Sequence, residues 1–251
     1  MQFQLPKPLH GWRALAGEVG IIVLGVLIAL GFGQLADAWQ WRSKIRRAEA
    51  AMRIELSQDD GPQAYARALI GRCLDGQIAR IHDGAQTASG PQLRQWTAAY
   101  DPPFRVWDSE AWNIVVASDI GSHMGSDRAI IWSKPYRIVP MLTAQNTEEG
   151  RLVIDMRNSV PVSGAPSASD VQNLRRISGQ LRVINRRFIT SSELLLARIG
   201  ANDARVPAQI QRELISDAKA MYGGCVTVPN LNAPAAADSV AANLKSASLT
   251  N

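Results

Sequence analysis

The sequence predicts an all-α protein, with one N-terminal transmembrane helix continuing into a mainly helical, bundle-like extramembrane domain. A run of eighteen residues near the N-terminus carries no charge. The apolar residues after it recur at steps of three and four, the period of an amphipathic helix. Long alternating runs of β-branched residues, which would indicate half-buried strands, do not occur. These three observations together favour helices throughout.

The uncharged run lies between Glu18 and Asp37. As a helix it covers about 27 Å, close to the hydrocarbon thickness of a bilayer. Trp12 precedes the run, and Trp39 and Trp41 follow it, at the headgroup level that amphipathic rings favour. The sequence therefore predicts a short N-terminal segment, residues 1–14, and a membrane anchor over residues 15–41.

A cleaved signal peptide is the alternative interpretation of this segment. Residues 36–38 read Ala-Asp-Ala, the small-x-small form of a cleavage site. The apolar run is longer than the usual signal-peptide core of about 7 to 15 residues, and a helical pattern continues beyond the site. A buried core helix is disfavoured because apolar residues cover every face. An uncleaved anchor is therefore the favoured interpretation.

Small residues repeat every four positions inside the predicted anchor, at Gly25, Ala29 and Gly33. Such a strip lets two membrane helices approach closely. It is a candidate packing face for a second copy of the chain, giving a homo-oligomer, or for another membrane protein. The alternative is that Gly and Ala are simply common in membrane helices.

The helical pattern continues from residue 39 to residue 58, where the sequence contains neither Gly nor Pro. We therefore expect the membrane helix to leave the bilayer without a break. Its basic residues would lie among lipid headgroups, where each contributes on the order of 1 kcal/mol with anionic lipid. These interfacial residues are Arg42, Lys44, Arg46 and Arg47. The lipid bilayer is thus the first partner that the sequence indicates.

The anchor also carries a family resemblance. Residues 17–30 read GEVGIIVLGVLIAL, and they are followed by Trp41-Arg42 and by the acid/base helix AEAAMRIEL at residues 48–56. This combination resembles a group of uncharacterised bacterial membrane proteins with a Gly-Glu opened N-terminal anchor. The resemblance implies a bacterial inner-membrane protein with a helical extramembrane region, and it implies no activity.

The extramembrane domain is predicted over residues 42–225. A flexible tail is predicted over residues 226–251, which are small and polar with little to bury. We expect Asp59-Asp60-Gly61-Pro62 to end the first helix. Further helices are predicted at residues 63–81, 93–99, 109–118, 127–156 with a bend or break near Pro135 and Pro140, 169–199 after a capping box of Ser169 and Gln172, and 208–222.

Apolar stripes on these helices predict the core. The expected core positions are Leu69, Cys73, Ile78, Ile81, Trp107, Trp112, Ile114, Val115, Ile130, Ile131, Tyr136, Val139, Val171, Leu174, Ile177, Leu181, Ile184, Phe188, Leu195 and Ile199. Opposite the last stripe is a basic face formed by Arg175, Arg176, Arg182, Arg186 and Arg187. We interpret this face first as solvated surface and second as a docking face for a partner or for lipid headgroups.

The motifs that would indicate catalysis or metal binding are missing from the sequence. It contains no H-E-x-x-H, no Walker loop and no G-x-G-x-x-G after a strand. His10, His82 and His123 have no second His or Cys at ligand spacing. The sequence therefore predicts no catalytic residue, no cofactor and no metal. The net charge of +5 is spread along the chain among acids, so nucleic acid is not an expected partner.

Two local patterns have ordinary explanations. Ser122-His123 lies between glycines, but we interpret it as the end of a helix because a nucleophile elbow needs G-x-S-x-G on a strand-to-helix turn. The acid pairs Asp59-Asp60 and Glu148-Glu149 lie near glycines at expected helix ends, where solvation is the default expectation.

Two classes of function remain open at the level of sequence. The first is a membrane-anchored scaffold or accessory interaction protein without catalytic activity. The second is a small-ligand sensor, or an enzyme of unfamiliar type, with a site assembled from Trp107, Trp112 and Trp132.

Orientation is ambiguous because basic residues flank both ends of the anchor. Lys7 and Arg13 precede it, whereas four basic residues follow it, and the positive-inside rule would then keep the domain in the cytoplasm. The short N-terminal segment and the resemblance favour a periplasmic domain. Cys73 and Cys225 would then form a disulfide closing a loop of about 150 residues, worth roughly 4 to 5 kcal/mol. In the cytoplasm, the alternative, they would be two buried thiols.

Overall fold

The computed structural model describes residues 12–230, with side chains from residue 16 onwards. Over this range the chain is helical and contains no β-strand, which confirms the predicted fold class. The helices are α1 (Trp12–Ile54), α2 (Gly61–Gly84), α3 (Gly90–Ala99), α4 (Glu110–Ala117), α5 (Ile120–Met124), α6 (Ser126–Tyr136), α7 (Val139–Asn158), α8 (Ala168–Gly200) and α9 (Ala208–Tyr222). Residues 231–251, most of the predicted flexible tail, lie outside the described range, as does the start of the predicted N-terminal segment.

The chain divides into two compact units, Met1–Ala48 and Glu49–Asn251. The first unit contains most of α1. Within the described residues, one continuous helical stretch, Ala16–Gly84, contains a segment long and apolar enough to cross a membrane. That segment has a mean hydropathy of 2.4, and none of it is buried inside the chain. A helix that is apolar on every face yet unburied in its own chain is typical of a membrane span.

The predicted helix end at Asp59–Pro62 is wrong. A π-helical turn, Glu55–Asp60, joins α1 to α2 without interrupting the helix. The Gly61 N–H still donates to the Leu56 carbonyl, and Pro62, which has no N–H to donate, lies directly after the π-helical turn. Gly61 allows close packing, since a Cβ at this position would meet the Leu56 carbonyl and the side chain of Ile199. Gly61 and Pro62 therefore lie inside a continuous helical stretch and do not reverse the chain.

The second unit is a helical bundle built around α8. This helix packs along α2 and α7, and α9 packs on α2. The contact surfaces are apolar, and burial at roughly 25 cal/mol per Å² is the main favourable contribution to such packing. Fully buried side chains include Leu69, Leu74, Ile78 and Ile81 of α2, Leu142 of α7, and Leu181, Phe188 and Leu195 of α8.

Three predicted core positions are exposed. Ile114 of α4 is 56% exposed, and Ile130 and Ile131 of α6 are 55% and 45% exposed. These two helices are short and bury other side chains, Val115 of α4 and Trp132 of α6. The prediction is wrong because helical spacing over two or three turns does not decide which face a neighbour covers.

Helix boundaries in the second half follow the predictions closely. The break near Pro135 and Pro140 occurs between α6 and α7, with Pro140 in the first turn of α7. The N-cap of α8 lies two residues before the predicted N-cap Ser169. Its capping box is formed by Ser167 with Asp170, so the predicted box of Ser169 with Gln172 is wrong.

A disulfide joins α2 to the end of the described chain. Cys73 of α2 and Cys225, in a 3-10 turn after α9, are bonded with their Cα atoms 5.2 Å apart. Two residues further on, the Thr227 N–H donates to the Leu69 carbonyl at 3.0 Å. Both contacts hold the segment after α9 against α2.

Candidate functional site

A charged pair lies in the centre of the bundle. Arg67 of α2 is fully buried, and Glu149 of α7 is 2% exposed. Two parallel hydrogen bonds join them, from Nη1 to Oε2 at 3.0 Å and from Nη2 to Oε1 at 2.7 Å. Nη2 also donates to Oδ1 of Asn185 in α8, at 2.8 Å. This planar, bidentate arrangement connects three helices through one guanidinium group.

The groups around the pair add further polar contacts, while the buried Nε of Arg67 has no hydrogen-bond partner. The Asn185 side-chain amide donates to the Gly71 carbonyl at 3.0 Å, and the Tyr100 hydroxyl donates to Glu149 at 3.4 Å. Burial, followed by the charge of Glu149, raises the pKa of Tyr100 well above its usual value, so the hydroxyl remains a donor. The Phe188 ring lies over the Arg67 guanidinium, 4.3 Å from its Cζ atom.

Residues 100–109, which we call the strap, connect α3 to α4 without helical structure. Side chains of the neighbouring helices bind its backbone. Asn146 of α7 accepts from the Arg105 N–H at 3.2 Å and donates to the Arg105 carbonyl at 3.1 Å. Gln63 of α2 donates to the Val106 carbonyl, and Arg157 of α7 donates to the Tyr100 carbonyl. The strap is therefore held by side chains and not by a strand ladder.

The strap also places side chains beside the central pair. Trp107 is buried and packs on Phe188, with ring centroids 6.0 Å apart. Burial and the nearby charge of Arg67 lower the pKa of Arg105 to about 10, which leaves it charged at neutral pH. Sequence analysis predicts none of Arg67, Tyr100, Arg105, Glu149 or Asn185 as a functional position.

A second buried acid lies at the π-helical turn. Asp60 is fully buried, its Oδ1 accepts from the Asp108 N–H at 3.1 Å, and its Oδ2 has no hydrogen-bond partner. Nearby, Glu55 accepts from the Ala111 N–H at 2.9 Å. These two carboxylates hold the end of the strap and the first turn of α4. Burial raises the pKa of Asp60 to about 7, and the charges of Glu55, Asp108 and Asp59 add to the increase.

The expectation that both acid pairs are solvated is wrong for one member of each pair. Asp60 and Glu149 are buried, whereas their neighbours Asp59 and Glu148 are exposed or half-exposed. A signal for this was available in the spacing. Glu149 lies on the buried stripe of α7 between Asn146 and Val153. Arg67 and Asn185 likewise lie on the buried stripes of α2 and α8.

The indole rings of the alternative Trp-lined site do not line a common cavity among the clefts described below. Trp107 packs on Phe188, and Trp112 stacks on Tyr136 at 5.7 Å. Trp132 donates its N–H to Glu49 at 3.2 Å. All three rings therefore contact other protein side chains.

Ser122 and His123 lie within 3.0 Å of each other in α5, measured from Oγ to Nδ1. The Ser122 hydroxyl donates to the Asp119 carbonyl at 2.7 Å, and Nδ1 of His123 is 2.8 Å from the same carbonyl. A hydrogen on Nδ1 that binds this carbonyl leaves the nitrogen without a lone pair for the serine proton. Both side chains thus bind the carbonyl that precedes a short helix, and they lack the geometry of a nucleophile and its base.

The interfacial residues and the small-residue strip lie in α1. Trp39, Arg42, Lys44, Arg46 and Arg47 are exposed, and the Lys44 ammonium lies 4.3 Å from the ring centroid of Trp41. Added Cβ atoms at Gly25 and Gly33 would meet no other atom within 4 Å. The strip is therefore uncovered within a single chain.

The predicted basic face lies on the outside of α8. Four of its five arginines are exposed, and the half-buried Arg182 pairs with Asp75 of α2 at 3.2 Å. This ion pair adds a polar contact at the edge of the α2–α8 packing, where its net contribution is at most about 1 kcal/mol.

Open clefts on the surface of the second unit, among residues up to 230, include the following three. One of about 620 Å³ lies between the end of α8, the start of α9 and residues 228–230, and one of about 150 Å³ lies between the strap and α7. The third, of about 450 Å³, lies beside the π-helical turn. Among the residues that the structure describes, no group of three or more His, Cys, Asp or Glu side chains could hold a metal ion.

Comparison with known proteins adds no functional assignment: no family model, no curated protein and no solved structure matches this chain.

The central ion pair predicts that replacing Glu149 destabilises the protein far more than replacing the adjacent Glu148. Glu149→Ala should lower the free energy of unfolding by about 3 to 5 kcal/mol, because it leaves the buried Arg67 charge unpaired. Glu148→Ala is the matched control, since Glu148 pairs with Arg151 at the surface, and it should cost less than about 1 kcal/mol. Chemical unfolding of the full-length protein in detergent measures both. Equal losses would contradict the structural role of the Arg67–Glu149 pair.

Asp60 predicts a stability that depends on pH. Because its folded pKa of about 7 lies above the unfolded value near 3.8, the folded state binds the proton more tightly. This contribution is complete below pH 4 and is lost as pH rises towards 7, by at most about 4 kcal/mol. Asp60→Asn keeps an acceptor for the Asp108 N–H and should flatten the decline of thermal stability between pH 5 and 8. Asp59→Asn removes only the smallest of the charges that raise the pKa of Asp60 and should change the decline only slightly, whereas an unchanged slope in Asp60→Asn would refute the assignment.

Proposed function

We propose that this chain is a single-pass protein of the bacterial inner membrane whose helical domain is a scaffold or accessory module, binding another protein and performing no catalysis. The observation that carries the proposal is the exposed aliphatic surface of two short helices. Ile114 and Val116 of α4 and Ile130 and Ile131 of α6 are each 45 to 64% exposed. Trp112 of α4 stacks on Tyr136 of α6, so the two helices are neighbours, and aliphatic side chains exposed on neighbouring helices are a candidate protein-binding face.

The roles of the buried charges support a structural interpretation of the domain. Arg67 and Glu149 bind each other and Asn185, and Asp60 binds the strap backbone. Charged groups at these positions hold helices and a connecting segment together. This supports a domain whose function lies in its surface.

The anchor supplies a second contact in this proposal. The strip of Gly25, Ala29 and Gly33 would pack against a second copy or another membrane protein. The basic residues after the span would contact anionic headgroups. The resemblance of residues 17–30 to bacterial anchors supports the inner membrane as the location.

We place the extramembrane domain in the periplasm, and the Cys73–Cys225 disulfide is the support for this orientation, because disulfides persist in oxidising compartments. The count of basic residues around the anchor points the other way, towards the cytoplasm. The orientation therefore requires a direct measurement.

Intact spheroplasts treated with a membrane-impermeant protease provide that measurement. We expect digestion of the domain and, on gels without reductant, a bridged form that reductant converts to the dithiol. Both cysteines should resist thiol labelling until reductant is added. Full protection from protease together with two reactive thiols would place the domain in the cytoplasm.

Site-specific photocrosslinking in native membranes tests the interaction role. A photoreactive residue at the exposed Val116 should give one stoichiometric adduct with a partner protein. The same residue at the exposed Glu213 of α9 is the control and should give none. A bound small molecule that copurifies with the protein, with no adduct from either position, would favour a ligand sensor instead.

A further inference from the structure

The cleft beside the π-helical turn combines an apolar floor with an acidic rim. It is an open groove of about 450 Å³ formed by the end of α1, the π-helical turn, the end of the strap and the first turns of α4. Its lining residues are Ala51, Ile54, Glu55, Asp59, Asp108, Glu110, Ala111 and Ile114. All of them belong to the second compact unit.

The floor is aliphatic and open to solvent. Ile54 is 53% exposed and Ile114 is 56% exposed, and Ala51 is exposed beside them. Covering these side chains would remove apolar area from water, which is the principal driving force for association. The groove runs between two helices, as do grooves that accept an amphipathic helix.

The rim is acidic and its charges are not neutralised within the described chain. Asp59, Asp108 and Glu110 are exposed, and none of them takes part in an ion pair within residues 12–230. Glu55 lines the same groove, and its Oε2 accepts from the Ala111 N–H at 2.9 Å. Negative charge is therefore concentrated here, although the chain as a whole carries +5.

We infer that this groove binds a helical segment of a partner protein that presents aliphatic side chains flanked by lysine or arginine. The inference rests on the proposed interaction function and specifies its partner. Aliphatic residues at i, i+3, i+4 and i+7 would cover Ile54 and Ile114, and the flanking cations would pair with Asp59, Asp108 and Glu110. Charge complementarity selects this occupant.

An anionic lipid surface fits the groove poorly, since its headgroups would face the acidic rim. A second copy of this chain is the other occupant to test, because its own basic helices also carry aliphatic side chains. Both alternatives are separate outcomes in the experiment.

The full-length protein in phosphatidylcholine nanodiscs is titrated with a fluorescent leucine–lysine peptide whose leucines follow helical i, i+3, i+4, i+7 spacing. Binding to empty nanodiscs is subtracted. We expect saturable binding that weakens as salt is added. A peptide with glutamate in place of each lysine should not bind, and equal binding of the two peptides would overturn the inference.

The rim variant Asp59→Lys with Asp108→Lys should weaken peptide binding by about tenfold or more. Glu193→Lys with Asp217→Lys, at exposed acids of α8 and α9, is the matched control and should bind normally. Circular dichroism checks that both variants retain the helical fold, and Ile114→Ser provides a second variant that removes floor contact without changing charge. Normal binding by both groove variants would overturn the inference.

Sedimentation of the same samples separates self-association from partner binding. A rim variant that changes the oligomeric state would make the groove an interface between copies and would overturn the inference. The Val116 photoadduct in native membranes distinguishes this result from a failure of the proposed function. An adduct that persists in the rim variant would retain the interaction role and move the partner to another surface.

Discussion

Burial of the Arg67 guanidinium is the constraint on which the rest of the domain depends. A guanidinium removed from water needs fixed partners in place of its hydration, and Glu149 and Asn185 supply them to Nη1 and Nη2 from two other helices. The positions of α2, α7 and α8 are therefore coupled by directional bonds as well as by apolar packing. Phe188 and Trp107 exclude water from the same region, which strengthens the interaction.

The strap obeys the same rule as the guanidinium, namely that polar groups taken away from water need hydrogen-bond partners. An extended segment that lies against helices has no neighbouring strand to bind its N–H and carbonyl groups, and unpaired backbone groups are costly away from water. Gln63, Asn146, Arg157 and Asp60 provide the missing partners through their side chains. With its backbone bound in this way, the strap leads directly into the first turn of α4 and so forms one side of the acidic groove. The groove is thus a consequence of how the core is closed.

The disulfide and the apolar N-terminal helix have separate roles. The Cys73–Cys225 bond ties the segment after α9 to the bundle, so that the core helices and the last helix form a single closed loop of chain. The N-terminal helix contains an apolar segment that is not buried by its own chain and is long enough to cross a membrane. A small domain that is stabilised internally in this way can present exposed aliphatic side chains at its surface and remain folded.

The sequence by itself determined the helical class, the apolar span and most helix boundaries, because these depend on local periodicity and on local signals such as Pro135 and Pro140. It also identified Cys73 and Cys225 as a possible pair. Only the tertiary structure decided that Asp60 and Glu149 are buried while Asp59 and Glu148 are not, that Ile114 is exposed, and that the helix continues through Pro62. The physical reason is that burial of a polar or apolar side chain depends on which partner, distant in the sequence, lies opposite it, and such partners are set by the packing of whole helices.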